Sequence, residues 1–260
     1  MKNTSLEKSA CPILEFDDTS EAVCEPTKVI KDRDLPEHCV LCFFHDVIAE
    51  LHLDTKARPL LPFRSEAGEL PVCELSVEGQ RLAVCHVGVG APLAGAMLEE
   101  MIARGSRKFI ACGGAAVLNR DITSNHLIVP STAVRDEGTS YHYMPPGREV
   151  AAHPCALEAI ETTLKKHRCL YLLGKTWTTD GIYRETPSKI QLRKSEGCVT
   201  VEMEAAAFFA IAKFRHVIFG QILYAGDDVS GSEWDPRDFF KRGPIREQVF
   251  WLAVEACLRI

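Results

Sequence analysis

The stretch Val201-Glu202-Met203-Glu204-Ala205-Ala206-Ala207 sets two carboxylates and a thioether between an apolar entry (Cys198, Val199, Thr200) and a helix-favouring run through Phe208, Phe209, Ile211 and Ala212. The free N–H groups and dipole of a first helical turn account for one acidic residue at such a strand-to-helix junction. They do not account for a methionine held between two. A carboxylate accepts hydrogen bonds from two neighbouring hydroxyls while a thioether packs on an apolar sugar face, so Glu-Met-Glu reads as a ribose clamp. A second acidic pair, Asp227-Asp228, follows the apolar run 217–223 and precedes Val229-Ser230-Gly231. Adjacent carboxylates repel, which raises the pKa of one and suits it to donate a proton; turn formation and helix capping are the alternative use. Gly88-Val89-Gly90 offers backbone N–H groups to an anion or sugar oxygen, or else makes a tight, closely packed turn. It lacks the third glycine of the dinucleotide fingerprint, so nicotinamide chemistry is not expected. The segment 178–185, Thr-Thr-Asp-Gly-Ile-Tyr-Arg-Glu, is a polar and aromatic loop.

The elements that must position these residues follow from periodicity. Residues 40–44 form a buried-strand pattern followed by a short helical one through Val47, Ile48 and Leu51. Residues 71–77 and 82–87 read as strands joined by a turn at Glu78-Gly79. After the glycine loop comes an amphipathic helix carrying Leu93, Met97, Leu98, Met101 and Ile102 and closing at Gly105. Further strands are expected at 108–112, 126–129, 170–176 and 217–223, with helices at 156–166, after Glu204, and through Ile245, Val249, Leu252 and Ala256. Strands alternating with helices predict a parallel or mixed sheet covered by helices, with ligands at the carboxyl ends of the strands.

Composition narrows the function classes. With 260 residues, 46% of them hydrophobic, the chain can bury one substantial core. We expect an irregular N-terminal arm over 1–36 and a single domain over 37–260. A net charge of −6 without a long basic block argues against nucleic-acid or membrane-surface binding. No membrane-spanning run or secretory signal is read, so a cytoplasmic protein is expected. The eleven cysteines are scattered and mostly in apolar stretches (Cys42, Cys73, Cys85, Cys112, Cys257), as small buried hydrophobes are. Cys39 and Cys42 point to opposite faces of a strand and have no matching partner pair, so no metal is expected; no cofactor is expected either.

Taken together, the loop at Gly88, residues 109–116, Ala133-Val134-Arg135-Asp136-Glu137-Gly138-Thr139-Ser140, residues 179–183 and Val201–Ala207 resemble the nucleoside phosphorylase and nucleosidase superfamily, within it the uridine phosphorylase-like branch. That resemblance implies a three-layer α/β sandwich around a central twisted mixed β-sheet, and a homo-oligomer, either a dimer or a hexameric ring of dimers. It implies cleavage of a ribosyl–base bond, by phosphate in phosphorylases and by water in nucleosidases. At matching positions, Met203 would pack on ribose, Glu204 would hold the 2′ and 3′ hydroxyls, and Ile182 and Tyr183, with Arg184 beside them, would line the base site. Asp228 would protonate the leaving base. Glu202 is assigned to the helix start.

The departures lie in the anion site. Phe43, Phe44, His45, Asp46 and Val47 occupy the region where phosphorylases of the superfamily place a glycine and an arginine. Ala111 stands for a further arginine, and Gly114 for a hydroxyl residue. Gly88, Gly90, Gly114 and Arg64 are the candidate phosphate or water site, with His45 and His86 as other sources of charge. The expected partners are a nucleoside and, for phosphorolysis, inorganic phosphate. A phosphorylase acting on purine nucleosides is the first expectation. A nucleosidase, or a nucleoside-binding protein without turnover, is the alternative.

Overall fold

The computed structural model describes residues 6–30, 34–54, 57–66, 68–124, 126–237 and 243–260. In chain order the elements are α1 (Pro26–Val29), β1 (His38–Cys42), α2 (His45–Leu53), β2 (Arg58–Pro59), β3 (Phe63–Ser65), β4 (Gly68–Leu70), β5 (Val72–Val77), β6 (Gln80–His86), α3 (Ala91–Ala103), β7 (Lys108–Val117), β8 (Leu127–Asp136), β9 (Glu149–Ala151), α4 (Pro154–Lys166), β10 (Tyr171–Thr179), α5 (Pro187–Ser195), β11 (Cys198–Glu202), α6 (Ala205–Phe214), β12 (Ile218–Asp228) and α7 (Gly243–Leu258). The main sheet runs β11-β10-β8-β12-β7-β1-β6-β5-β2, with β9 on β8, while β3 and β4 form a separate hairpin. It is mixed: β1 lies parallel to both β6 and β7, whereas β12 meets β8 antiparallel. β11 also pairs antiparallel with β7 (Thr200 with Val117, Val201 with Ala116), so β7, β12, β8, β10 and β11 close into a ring.

Strand alternation builds the three layers. Val40, Cys42, Ile110 and Cys112 face Ile48 of α2, Ile160 of α4 and Val249 and Phe250 of α7. Their neighbours Cys39, Leu41, Phe109 and Ala111 face Met97 and Leu98 of α3 and Phe208 and Ile211 of α6. Cys39 and Cys42 thus belong to opposite cores, and Cys42, Cys73, Cys85, Cys112 and Cys257 are all buried free thiols. Glu78 and Gly79 both take positive φ (49° and 82°) in the β5–β6 turn, the conformation that matches strand twist.

Several strands run past their expected ends. β7 continues through Gly113-Gly114-Ala115-Ala116 because the small residues let it pass under Phe43 and Tyr224. β8 passes through Pro130, whose missing N–H falls where pairing with β10 shifts: Gly174 is opposite Pro130 and Lys175 opposite Thr132. Ser131 is the extra residue, and its hydroxyl donates to Gly174 O at 3.2 Å. The N-terminal segment is tied to its own chain: Arg215 donates to Ser20 O (3.1 Å) and pairs with Glu25 (3.1 Å) and Glu99 (2.9 Å). Among the described residues no helix is long and apolar enough to cross a membrane, and no group of three or more His, Cys, Asp or Glu could hold a metal.

Candidate active site

The acidic pair at 202 and 204 divides its labour. Glu202 ends β11, and its Oε2 accepts from the N–H groups of Glu204 (2.7 Å) and Ala205 (2.6 Å), while Oε1 accepts from the Thr178 hydroxyl (2.6 Å). Thr178 Oγ1 in turn accepts from Ala206 N at 2.9 Å. Three free N–H groups at the start of α6 are therefore satisfied by side chains of two neighbouring strands. Glu204, with its side chain turned into the cavity wall, accepts from Gly90 N at 2.5 Å. It is 6% exposed, and burial first, then the Glu202 carboxylate, push its pKa up.

Glu204 and Met203 line a cavity of about 890 Å³ together with Gly114, Ile182 and Tyr183. Five of the expected site residues are thus brought together. The glycine loop contributes differently from an anion cradle. Gly90 (φ 102°) spends its N–H on Glu204, and a Cβ at Gly88 would overlap the Leu93 side chain, so Gly88 is there for close packing. Neither glycine lines the cavity, although Val89 between them does.

Three further expected site residues fall outside it. Asp228 is 2% exposed but turned away, accepting from Arg237 at 2.8 Å and from Ser230 N at 2.8 Å, with Arg120 at 3.9 Å. Burial would raise its pKa, but the Ser230 hydrogen bonds and Arg237 outweigh it and hold it below the usual carboxylate value. A carboxylate fixed in this way is a poor proton donor, and it is Asp227 that lines the cavity, accepting from Trp234 Nε1 at 2.6 Å. Arg184 is exposed and outside the lining. Arg64 is 70% exposed on the β3–β4 hairpin, paired with Glu69 at 2.7 Å. Arg135, from the Arg-x-x-Gly-Thr-Ser segment, is a staple: it donates to Ser140 Oγ (2.8 Å), Pro145 O (2.8 Å) and Met144 O (3.2 Å).

The cavity also recruits residues the motifs do not single out. Glu185 lines it, its pKa raised to about 7 by burial and by the neighbouring Asp227 charge. Its position two residues after Tyr183 was the available signal. Gln221, Tyr224 and Arg246 line it as well. Arg246 has no local signal, because it reaches the site by pairing with Asp46 (3.2 Å) across 200 positions of sequence.

The profile of the phosphorylase superfamily matches residues 37–252. Guanosine phosphorylase of Halorubrum lacusprofundi is 26% identical over 166 residues, covering 64% of this chain and 69% of that one. The fold is that of uridine phosphorylase from Vibrio fischeri ES114 (TM-score 0.73, 22% identity, 90% of this chain and 96% of the other). AMP nucleosidase from Bacteroides thetaiotaomicron also shares it (TM-score 0.70, 18% identity, 88% and 90%). A helix start that aims one glutamate into a cavity lined by β7, β11 and β12, in a chain matched along most of its length, makes this protein a member of the phosphorylase superfamily.

Proposed function

We propose that the protein cleaves the N-glycosidic bond of a purine nucleoside. The observation that carries this reading is one cavity shared by Glu204 and Met203 and by the carboxyl pair Glu185 and Asp227. Glu204 holds the ribose hydroxyls and Met203 covers the sugar's apolar face. Ile182 and Tyr183 border the base. A departing purine accumulates negative charge on its ring and needs a proton, and a carboxyl group that titrates at about 7 holds one for transfer near neutrality. The guanosine-cleaving relative supports a purine, while the uridine-cleaving fold neighbour makes uridine the comparison substrate.

The test is base release from a panel of guanosine, inosine, adenosine and uridine. Purine release should exceed uracil release. Asp227→Asn and Glu185→Gln should each lower purine release by about 10²–10⁴-fold, the usual loss of a general acid. Preferred cleavage of uridine, unaffected by either change, would overturn the reading.

A further inference from the structure

We propose that water, rather than phosphate, is the acceptor in this site, and that His45 is the general base that activates it. The proposal rests on the purine-nucleoside cleavage above and adds its second substrate.

An attacking phosphate is best held by cationic donors, and the described lining carries a single one against four carboxyl groups. Glu185, Glu202, Glu204 and Asp227 line it, and Arg246 is the one lysine or arginine among the described lining residues. That guanidinium is already engaged by Asp46 at 3.2 Å and lies 6.0 Å over the Phe44 ring. Gly114 cannot be replaced by a hydroxyl-bearing residue without a shift, because a Cβ there would stand 2.8 Å from Tyr224 Cζ. Ala111 is buried in the α3 and α6 core, outside the lining. Glu204 takes the amide of the glycine loop. A dianion entering here meets four carboxyl groups and, among the described lining residues, one arginine already paired with Asp46.

Water meets different surroundings. Gln221 is 1% exposed and lines the cavity, and its Oε1 is buried without a hydrogen-bond partner. His45, at the start of α2, is the one histidine of the lining among the described residues. An imidazole ring nitrogen can accept a proton from a water beside it. The groups around it are His86 on β6, with ring centroids 5.7 Å apart at 87°, and the mutually paired Asp46 and Arg246 on α2 and α7. Burial and His45 itself lower the pKa of His86, which keeps that second ring neutral.

In the step, the water oxygen bonds to C1′ and its proton passes to the His45 ring nitrogen. The C1′–N bond breaks with its electron pair going to the base, which takes the carboxyl proton of Glu185 or Asp227. Free ribose and free base leave; the imidazolium releases its proton to solvent and the carboxylate takes one up.

The experiment follows base release from a purine nucleoside with and without saturating inorganic phosphate, identifies the sugar product, and repeats the measurement with His45→Gln after checking its fold by circular dichroism. Free ribose should form at the same rate in both buffers. His45→Gln should lower kcat by about 10²–10⁴-fold with little change in KM, and His45→Glu should restore part of the rate. Ribose 1-phosphate, formed at a phosphate-dependent rate, would overturn the water acceptor and leave nucleoside cleavage standing. A wild-type rate in His45→Gln would overturn the base assignment. No base release in either buffer would remove the cleavage reading and this proposal with it.

Discussion

Glu202 and Glu204 are two positions apart, yet their surroundings give them separable tasks. Glu204→Gln keeps the shape but offers one acceptor and one donor where two sugar hydroxyls need acceptors. It should lower kcat/KM by about 10²–10³, or ~2–4 kcal/mol, with thermal stability nearly unchanged. Glu202→Gln should do the reverse, since an amide nitrogen facing the Glu204 or Ala205 N–H leaves a donor unpaired; denaturant titration should show a loss of about 1–3 kcal/mol. Glu185 links chemistry to stability. Its native pKa of about 7 lies above the unfolded value, so its native form binds the proton more tightly. Stability from this group is therefore complete below about pH 4.3 and declines until the pH passes its native pKa. Glu185→Gln should raise Tm at pH 8 relative to wild type by about 2–4 °C, as ~1 kcal/mol does in a domain of this size, with solvent screening of the partly exposed group trimming the gain. At pH 5 the two melting curves should nearly coincide. If the variant is instead less stable at pH 8, the ionised carboxylate is being stabilised by its surroundings.

At the scale of elements, Gly114 is the position where β7 and β12 constrain the site together. Gly114→Ser should cost about 1–3 kcal/mol by overpacking against the Tyr224 ring, and Tyr224→Ala in the same chain should relieve much of that loss. Additive losses measured in a double-mutant cycle would show that the ring yields freely. The same place shows what was legible in the sequence. The helices with sustained apolar spacing, α3, α4 and α7, and the starts of β7 and β12 follow from local pattern, while β1 begins two residues before its expected start. The ends of β7 and β8 do not, because Gly113-Gly114 and Pro130 are ordinarily breakers, and only the bulge at Ser131 and the rings over β7 make strand the better choice. That Met203 and Glu204 sit at a helix start was readable because its signal is local. Asp227 and Asp228 were harder to separate: strand alternation sends neighbours to opposite sides, and the choice between them depends on Trp234 and Arg237, which approach through a loop. Arg246 was beyond reach, since its role depends on a partner at the opposite end of the chain.

For the molecule as a whole, we propose that residues 37–260 form one domain and that it associates with copies of itself. The mouth of the cavity leaves Ile182, Trp234 and Val89 more than half exposed and Tyr183 94% exposed, apolar area of the kind that subunit contacts cover. Light scattering should report a dimer or hexamer, and Arg64→Glu on the projecting β3–β4 hairpin should weaken it; a monomer with full activity would remove the proposal. The closed ring of strands has a kinetic side. β11 is clasped by β10 on one edge and by β7 on the other, so Glu202 and the helix start it holds acquire their positions only when distant parts of the chain have met. Contacts of such long sequence separation form late, after much of the loop entropy has been lost. A nucleoside analogue bound at Glu204 should therefore leave the refolding limb of a chevron plot where it is and slow unfolding alone. Faster refolding in its presence would mean that the clamp is assembled before the ring has closed.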